Sequence, residues 1–373
     1  MGAFVASDLK ERNRSTVYAL VKAERDISKA EIARRSGISA PTVIKIMDYF
    51  SGLGIVREAA DEPPEAASAT LGRRPHLFRF EPGAACSVGV EYDGVHLSVG
   101  IVDLAGGIKT LLRRPASPDA RLCLRRELVP AVVEAMKAAS LAKEDVKGLG
   151  IGLPGTVDRA RSILRFAPLV GIKEALDCGP LVRELEDELG FPVLLENDAN
   201  AAALGEYAAR RLSSEDLLFV EIGRGLGAGL ILDGKLRAGP RGFAGELGYL
   251  VLDGDWRASF EAPGWLEGKM NLAAFWEESE RDGGPSGEAL RRVADNLALA
   301  LSNICIALDL RRVVVGRAGQ ESFGAALLAL IQESLSRLSV LEVSCEAPVA
   351  PEPGVQGAAE LAAQRWLKVV FAG

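Results

Sequence analysis

The sequence predicts a mixed α/β protein in which a small helical head precedes two α/β lobes. Two observations predict this division. The first 80 residues contain short segments with the apolar spacing of helices, whereas after residue 85 apolar runs of strand length alternate with helical patterns. Residues 1–80 also hold 13 of the 44 basic side chains but only 10 of the 51 acidic ones. A mildly basic head on an acidic body is typical of a DNA-reading domain joined to a small-molecule domain.

The head contains two consecutive helices with clear start and stop signals. Ser28 and Glu31 form a capping box, in which the Ser28 hydroxyl caps a helix and the Glu31 carboxylate reaches back to it. Gly37 ends that helix, because glycine readily adopts the left-handed conformation of a helix end. Ser39 then caps a second helix. Two short helices joined in this way predict a helix-turn-helix.

The second helix is predicted to read DNA. Its apolar residues recur at helical spacing and are expected to face inward, which leaves Thr42 and Lys45 largely outward. The predicted DNA-binding residues of this helix are Ser39, Thr42 and Lys45. The alternative is a three-helix bundle without a nucleic-acid partner.

A wing after these helices favours the DNA-binding interpretation. Residues 54–57 and 77–80 indicate two antiparallel strands, and the segment between them ends in Gly72-Arg73-Arg74-Pro75. A helix-turn-helix followed by such a hairpin is a winged helix. Arg73 and Arg74 on the wing are expected to meet phosphates or a minor groove.

The strongest chemical signal lies in the middle of the chain. An apolar run, residues 193–195, leads into Glu196, Asn197 and Asp198, and strong helix formers follow. That order predicts a strand, a polar turn and a helix. Because ligands bind at the carboxyl ends of strands in open α/β folds, we expect these three side chains to point into a cleft. The alternative is that Asn197 or Asp198 only caps the helix.

Three further motifs occur in a fixed order around this stretch. Gly150-Ile151-Gly152-Leu153-Pro154-Gly155-Thr156-Val157-Asp158 precedes it, and Gly242-Phe243-Ala244-Gly245-Glu246-Leu247-Gly248-Tyr249 and Gly264-Trp265-Leu266-Glu267 follow it. Together with residues 194–206 they resemble the signature of the ROK family, which joins bacterial sugar kinases and sugar-responsive repressors. The resemblance covers most of the chain after about residue 85, and the family's repressors carry a similar Gly-Arg-Pro element near the wing. A set of four ordered motifs is far more specific than one glycine-rich loop.

The resemblance implies a two-lobed actin-like, ribonuclease-H-like sugar-kinase fold behind the winged helix-turn-helix. We expect a head with its linker over 1–82, a first lobe over 83–197 plus 356–373, and a second lobe over 198–355. The predicted elements are a hairpin over 86–103, a strand over 108–113, one helix over 121–139, strands over 146–151, 219–222, 229–232 and 313–316, a long helix over 289–308, and a closing helix over 357–369.

The resemblance also implies the residues that would hold a sugar. In the family's kinases the residue matching Asp198 is the general base on a sugar hydroxyl, and a carboxylate within hydrogen-bond reach can accept that proton. Carboxylates and amides suit sugars because they bind neighbouring hydroxyls in pairs. The implied sugar-binding residues are Gly155, Thr156, Asn197, Asp198, Glu246 and Glu267.

The segments that bind the nucleotide in the family's kinases differ from the family pattern in this chain. Where the kinases have an acidic residue followed by Gly-Gly-Thr-Lys, this chain has Glu91-Tyr92-Asp93-Gly94-Val95-His96, which adds a negative charge and loses the lysine. Arg224 replaces a threonine in the second glycine-rich loop, and Gly316-Arg317-Ala318 replaces a run of glycines near the expected adenine pocket. We therefore expect no ATP and no catalytic residue, although Asp198 matches the general base.

The family's zinc ligands have no counterpart here. That site pairs a histidine with three cysteines, a set that zinc favours, whereas the matching positions are Tyr249, Ala258, Phe260 and Trp265. We expect no metal and no cofactor. Instead, an apolar plug of Phe260, Pro263 and Trp265 is expected to hold Glu267 by packing.

These expectations combine into a sugar-responsive transcription regulator, most simply a repressor. It would bind operator DNA as a homodimer, or as a tetramer, and a monosaccharide between the lobes. The alternatives are a true sugar kinase with a DNA-binding head, a regulator of a phosphorylated sugar that Arg224 would hold, and an architectural DNA binder whose sugar-site residues are relics.

Cysteine usage and hydropathy bear on location. The five cysteines are scattered and odd in number, which is typical of buried thiols in a reducing compartment. No charged-then-apolar leader opens the sequence, and no apolar run reaches the roughly 18 residues of a membrane span. We expect a cytoplasmic protein without a membrane partner.

Overall fold

A computed structural model describes residues 6–59, 76–167, 170, 172, 174–254, 264–316 and 321–373. The head contains three helices, α1 (Ala6–Ala23), α2 (Lys29–Ser36) and α3 (Ala40–Gly52). Its three short strands form a sheet in the order β1-β3-β2, with β1 (Ile27–Ser28), β2 (Val56–Glu58) and β3 (Leu77–Phe80). Helices α2 and α3 form the predicted helix-turn-helix, and β2 and β3 form the predicted wing hairpin.

The caps of the helix-turn-helix differ in part from the prediction. The Ser28 hydroxyl accepts a hydrogen bond from the Glu31 amide at 3.1 Å, and Gly37 ends α2 with a φ of 69°. The Glu31 carboxylate, however, binds the Arg34 guanidinium, so the returning half of the capping box is wrong. Ser39 stands at the N-cap of α3, but its hydroxyl bonds the Thr42 hydroxyl at 2.9 Å and caps no amide.

The first lobe is built on a five-stranded sheet with the order β11-β7-β4-β5-β6. The strands are β4 (Cys86–Tyr92), β5 (His96–Asp103), β6 (Ile108–Pro115), β7 (Val146–Leu153) and β11 (Val193–Asn197). Helices α4 (Ala120–Arg126), α5 (Leu128–Ala138) and α6 (Gly179–Leu189) accompany this sheet. A smaller sheet extends from it, with β8 (Thr156–Asp158), β9 (Ile163–Phe166) and β10 (Leu176–Asp177).

The single helix predicted over residues 121–139 is broken at Glu127. Proline at position 130 has no N–H to donate to the carbonyl of Arg126, and its ring would clash with that carbonyl in a continuous helix. The chain therefore ends α4 at Arg126 and starts α5 at Leu128. Glu127 stabilises the break, because its carboxylate accepts from the Ser117 amide at 3.2 Å.

The second lobe repeats the same plan. Its sheet has the order β14-β13-β12-β15-β16, with β12 (Leu217–Ile222), β13 (Leu226–Leu232), β14 (Lys235–Leu236), β15 (Arg312–Gly316) and β16 (Ser344–Glu346). Its helices are α8 (Trp265–Met270), α9 (Leu272–Asp282), α10 (Gly287–Leu308) and α11 (Glu321–Leu338). Two more helices, α7 (Asp198–Ala209) and α12 (Pro353–Ala372), lie against each other between the two sheets.

Glycines let α12 lie directly on the backbone of its neighbours. A Cβ on Gly150 of β7 would stand 1.9 Å from the Ala358 carbonyl oxygen, and one on Gly357 would stand 1.6 Å from the Ala201 carbonyl oxygen of α7. No side chain could be accommodated at either distance. The first sheet, α7 and α12 therefore form one closely packed unit.

The far end of α12 enters the head. Leu367, Val370 and Phe371 share a buried cluster with residues of α1 and α3, and the Phe371 ring lies 5.5 Å from the ring of Tyr18. The closing helix thus packs on the first sheet and also supplies part of the core of the head. No helix in the described ranges has the length and apolarity needed to cross a membrane.

Candidate functional site

The candidate site begins where β11 ends and α7 starts. Strand β11 pairs in parallel with β7, and this places Asn197 beside Leu153 and the turn that follows it. The Asn197 amide group donates to the Gly155 carbonyl at 3.1 Å and to Asp198 Oδ1 at 3.0 Å. Its oxygen accepts from the Asn200 amide at 2.9 Å. Asn197 therefore caps α7 and, with the same side chain, holds the turn and Asp198 in place.

Asp198 is fixed from two sides. Its Oδ1 accepts from the Asn197 side chain and from the Ala199 amide at 2.9 Å. Both bonds use one oxygen of the carboxylate and orient the group at the start of α7. A carboxylate oriented in this way can accept a hydrogen bond from a ligand hydroxyl with little loss of side-chain entropy.

Gly155 and Thr156 form the neighbouring wall. Gly155 has a φ of 100°, and a Cβ there would meet the Phe166 carbonyl oxygen at 2.3 Å, so only glycine suits this turn. Thr156 is 1% exposed, and its hydroxyl has no hydrogen-bond partner among the described residues. A buried hydroxyl without a partner costs free energy, and such orphans concentrate at binding sites and at sites of buried water.

The loop that carries Glu246 crosses from the second lobe to this wall. A Cβ on Gly242 would lie 2.7 Å from the Val157 carbonyl oxygen of β8, and the Tyr249 ring stands edge-on to Phe166 at 6.2 Å. The Ala228 amide donates to the Gly245 carbonyl at 2.9 Å and ties the loop to β13. These contacts hold the loop of Glu246 against the wall that Gly155 and Thr156 begin.

Three acidic groups near the start of α7 repel one another. Burial, together with the nearby carboxylates of Asp198 and Glu267, raises the pKa of Glu246 to about 7. Asp198 and Glu267 therefore lie close enough for their charges to act on the Glu246 carboxyl. The structure therefore places Asp198, Glu246 and Glu267 near one another, and their role in holding a sugar stays a prediction.

Glu267 is held by backbone amides. Its Oε1 accepts from the Leu226 amide at 2.7 Å and its Oε2 from the Gly264 amide at 3.0 Å. This corrects the expectation that packing alone positions Glu267, because the carboxylate caps α8 and anchors the start of β13. Phe260 and Pro263 of the expected plug, with Ala258, lie outside the described residues.

Glu196 does not point into the cleft as expected. It is 1% exposed, and its carboxylate accepts from the Asn200 side chain at 3.0 Å and lies 3.1 Å from the Arg159 guanidinium. Burial raises the pKa of Glu196, and the charge of Arg159 opposes that rise. Arg159 and Asn200 were not predicted as site residues. The only sequence signal is the four-residue spacing of Glu196 and Asn200 across the strand end.

The segments that match the nucleotide-binding loops of the family's kinases carry Asp93, Arg224 and Gly316. Asp93 closes the turn between β4 and β5, because its Oδ1 accepts from the amides of Val95 at 2.8 Å and His96 at 2.6 Å. Arg224 is exposed on the loop between β12 and β13. A Cβ on Gly316 would meet the Phe219 ring at 2.5 Å, and Arg317 and Ala318 lie outside the described residues. In the described ranges no group of three or more His, Cys, Asp or Glu side chains is arranged to hold a metal ion.

The predicted DNA-contacting residues fall into two groups. Ser39 and Lys45 are exposed on α3, and Thr42 is half-buried beside Ser39. Arg73 and Arg74 lie outside the described residues, so their place on the wing stays a prediction.

The region that holds the candidate site matches a known protein family. Residues 87–271 match the family model described as ROK family. The chain carries a ROK family domain. The matched residues include every predicted sugar-binding position, from Gly155 to Glu267.

Relatives of the ROK domain include both repressors and kinases. The chain is 27% identical over 249 residues to a putative xylose repressor of Caldicellulosiruptor sp., a match over 66% of this chain and 60% of that protein. It is 35% identical over 167 residues to a glucokinase of Streptomyces coelicolor, a match over 44% of this chain and 49% of that protein. These matches span less than two thirds of the relatives' own lengths.

Solved structures confirm the predicted fold, including the head. A ROK family transcriptional regulator, described as a homologue of the E. coli MLC protein, superposes with a TM-score of 0.74 at 18% identity over 98% of this chain and 99% of its own. A ROK family glucokinase from Streptomyces griseus, in complex with glucose and AMPPNP, has a TM-score of 0.59 at 28% identity over 75% of this chain and 100% of its own.

The raised pKa of Glu246 makes the stability of the protein depend on pH. A carboxyl that keeps its proton to about pH 7 when folded, but ionises near 4.5 when unfolded, stabilises the fold most below pH 4.5. That contribution is lost as the pH rises through about 7. In Glu246→Gln the melting temperature should therefore fall less between pH 5 and pH 8 than in the wild type, by roughly 1–2 °C for about 1 kcal/mol. The exposed Glu280→Gln is the control, and a Glu246→Gln profile parallel to the wild type would contradict this assignment.

Proposed function

We propose that this protein is a sugar-responsive, DNA-binding transcription regulator, and specifically a repressor. It binds a monosaccharide between its two lobes and does not phosphorylate it. The observation that carries the proposal is the path of α12. This helix packs against α7, which starts at Asp198, and its own C-terminal end lies in the core of the DNA-reading head.

The head supports the DNA partner. Helix α3 presents Ser39, Thr42 and Lys45 on one side, whereas Val43 and Ile46 are buried. Recognition helices enter the major groove with their first turns, so Lys45 is placed to reach a base edge or a phosphate. A homodimer with two such heads would read two half-sites spaced by whole helical turns.

The site supports a sugar effector. Asn197 and Asp198 are held in one orientation by backbone and side-chain bonds, and Glu246 approaches them on a loop of the second lobe. A sugar that bonds Asn197, at the end of β11 in the first lobe, and Glu246 together would draw the lobes to a fixed spacing. A ligand shifts a conformational equilibrium only by its difference in affinity for the two states, and contacts made to both lobes at once provide such a difference.

Two features favour binding without phosphoryl transfer. The Asp93 carboxylate accepts hydrogen bonds from the amides of a turn, at a position where the family's kinases have glycine. The loop between β12 and β13 carries Arg224 in place of threonine. Tyr249 and Trp265 stand at positions of the family's zinc ligands. The proposal therefore includes neither ATP nor zinc as a cofactor.

The relatives support the same proposal. A putative xylose repressor matches two thirds of this chain, and a protein of that name suggests a monosaccharide effector here. The second candidate, a sugar kinase with a DNA-binding head, is favoured by the glucokinase match and by the retained Asp198. A bacterial regulator that binds DNA acts in the cytoplasm, which agrees with the location that the sequence predicts.

One set of measurements tests the proposal. The full-length protein is screened for thermal stabilisation by free sugars and by their phosphates, and it is used to select duplexes from a randomised DNA pool. We expect stabilisation by one sugar class, recovery of a two-fold symmetric duplex, and no sugar-dependent consumption of ATP. Rapid ATP-dependent phosphorylation of the stabilising sugar would favour the kinase. Stabilisation by sugar phosphates alone would favour a regulator of a phosphorylated sugar, with Arg224 as the phosphate ligand. Stabilisation by no sugar would favour an architectural DNA binder.

A further inference from the structure

A polar groove opens beside the recognition helix. It has a volume of about 460 Å³ and is lined by residues of α1, of the turn between α2 and α3, and of the first turn of α3. The residues that matter here are Arg12, Asn13, Thr16, Ser39 and Thr42. Two of these, Ser39 and Thr42, are also predicted DNA-contacting residues, so the groove continues the DNA-reading surface onto α1.

Among the described residues, Arg12 is the one charged side chain that lines this groove. It is exposed, and within the described ranges its guanidinium makes no hydrogen bond or ion pair. Its neighbours in the sequence are used differently. Lys10 binds the Gly373 carbonyl at 2.6 Å, and Arg14 binds the end of α12. Of these three cations on α1, only Arg12 faces the groove.

The side chains around Arg12 can bind an anion's oxygens. Asn13 is half-buried, and within the described part of the chain its amide group likewise lacks a partner. The hydroxyls of Ser39 and Thr42 bond only each other there, at 2.9 Å, and each can rotate to donate outward. No acidic residue of the described ranges lines the groove. An unpaired guanidinium surrounded by neutral donors is suited to a phosphodiester.

We infer that this groove seats the phosphate backbone of the same duplex whose major groove α3 reads, with Arg12 neutralising one phosphate in each half-site. The inference rests on the proposed function, because it requires that α3 binds DNA. It adds α1 to the DNA surface and assigns it a role that does not depend on base sequence. A phosphate contact of this kind fixes the register of the recognition helix on the duplex.

The test uses the full-length protein and a duplex that the wild type has selected from a randomised pool. Binding of that duplex is measured by fluorescence anisotropy over a series of salt concentrations. Arg12→Ala is expected to flatten the plot of log affinity against log salt by about 0.9 for each phosphate that is no longer neutralised, and thus by about 1.8 for a dimer. It should select the same base sequence as the wild type. Arg12→Lys, which restores a cation, should restore most of the slope.

Lys10→Ala is the matched control, because it removes one positive charge from the same helix on the side that faces the end of α12. Its salt slope should equal that of the wild type. Ethylation of single phosphates gives a second readout: one position per half-site that blocks the wild type should no longer block Arg12→Ala.

The outcomes separate the inference from the proposed function. If the wild type selects a duplex but Arg12→Ala keeps the wild-type slope and ethylation pattern, the groove does not hold a phosphate and the inference is overturned. An equal loss of slope in Lys10→Ala would also overturn it, because the effect would then be one of net charge. If the wild type selects no duplex, the proposed function fails and the inference fails with it.

Discussion

Replacing Gly357 with alanine should destabilise the protein by about 1–3 kcal/mol, the usual cost of adding a methyl group where no space exists. The added Cβ would stand 1.6 Å from the Ala201 carbonyl oxygen and 2.6 Å from the Gly205 amide nitrogen. Both atoms belong to the backbone of α7, so neither helix can yield by a side-chain movement. The expected measurement is a lower midpoint of chemical unfolding together with weaker sugar binding, because α7 begins at Asp198.

Gly324→Ala is the matched control for this change. Gly324 also lies inside a helix, α11, but nothing lies within 4 Å of the position of its Cβ. Since alanine is the better helix former by about 1 kcal/mol, this variant should be as stable as the wild type or more stable. Equal unfolding midpoints for the two variants would show that α12 does not approach α7 as closely as described.

Replacing Arg14 with methionine should separate sugar binding from DNA binding. The Arg14 guanidinium is buried, donates to the Val370 carbonyl at 3.0 Å and the Phe371 carbonyl at 3.3 Å, and stacks 4.0 Å from the centre of the Tyr49 ring. A hydrogen bond to a charged group contributes about 1.5–3 kcal/mol, so its loss weakens the attachment of α12 to the head. Methionine keeps much of the buried volume of the side chain.

The measurement is the ratio of duplex affinities with and without the stabilising sugar. We expect this ratio to approach one in Arg14→Met, while sugar affinity stays at the wild-type value because Arg14 makes no contact with the sugar site. Lys10→Met is the control, since the bond that its ammonium makes to the Gly373 carbonyl is exposed and such contacts contribute little. A wild-type ratio in Arg14→Met would show that the sugar signal reaches the head by another route.

Local sequence signals predicted the parts of the fold that depend on local chemistry. The apolar run into Asn197 and Asp198 predicted the strand, the turn and the helix, because strand and helix propensities and an N-cap act within a few residues. Ser28 and Gly37 marked the ends of α2 for the same reason. The two lobes followed from the resemblance of ordered motifs, and the fold of solved relatives confirms them.

Competing partners decided the features that the sequence did not predict. Glu31 binds Arg34 in place of the Ser28 amide, because an ion pair one turn away competes for the same carboxylate. Glu196 turns inward because Arg159, from a different segment, lies within reach of it. Glu267 accepts from the Leu226 amide at the start of β13, 41 residues away. The first pair is local but has a rival within the same turn, and the other two partners are distant in the sequence.

The role of α12 in the head also depends on tertiary structure. Its apolar residues predicted a closing helix, and the resemblance to the ROK family implied that this helix returns to the first lobe. The insertion of Val370 and Phe371 between α1 and α3 depends on the placement of the head, which no local pattern encodes. Arg14 fixes this placement, but nothing in the sequence distinguishes it from the neighbouring cations Lys10 and Arg12 of α1.

The most direct test of a sugar-responsive regulator is the sugar concentration that gives half of the change in duplex affinity, measured in the wild type and in Asp198→Asn. Asparagine keeps the oxygen that accepts from Asn197 and Ala199, so the turn and the head should be unaffected, and affinity for the duplex without sugar should not change. We predict that the half-response concentration rises about 10- to 150-fold, which corresponds to the loss of about 1.5–3 kcal/mol for a hydrogen bond to a charged group. An unchanged half-response concentration would contradict this mechanism, because the sugar would then act without Asp198.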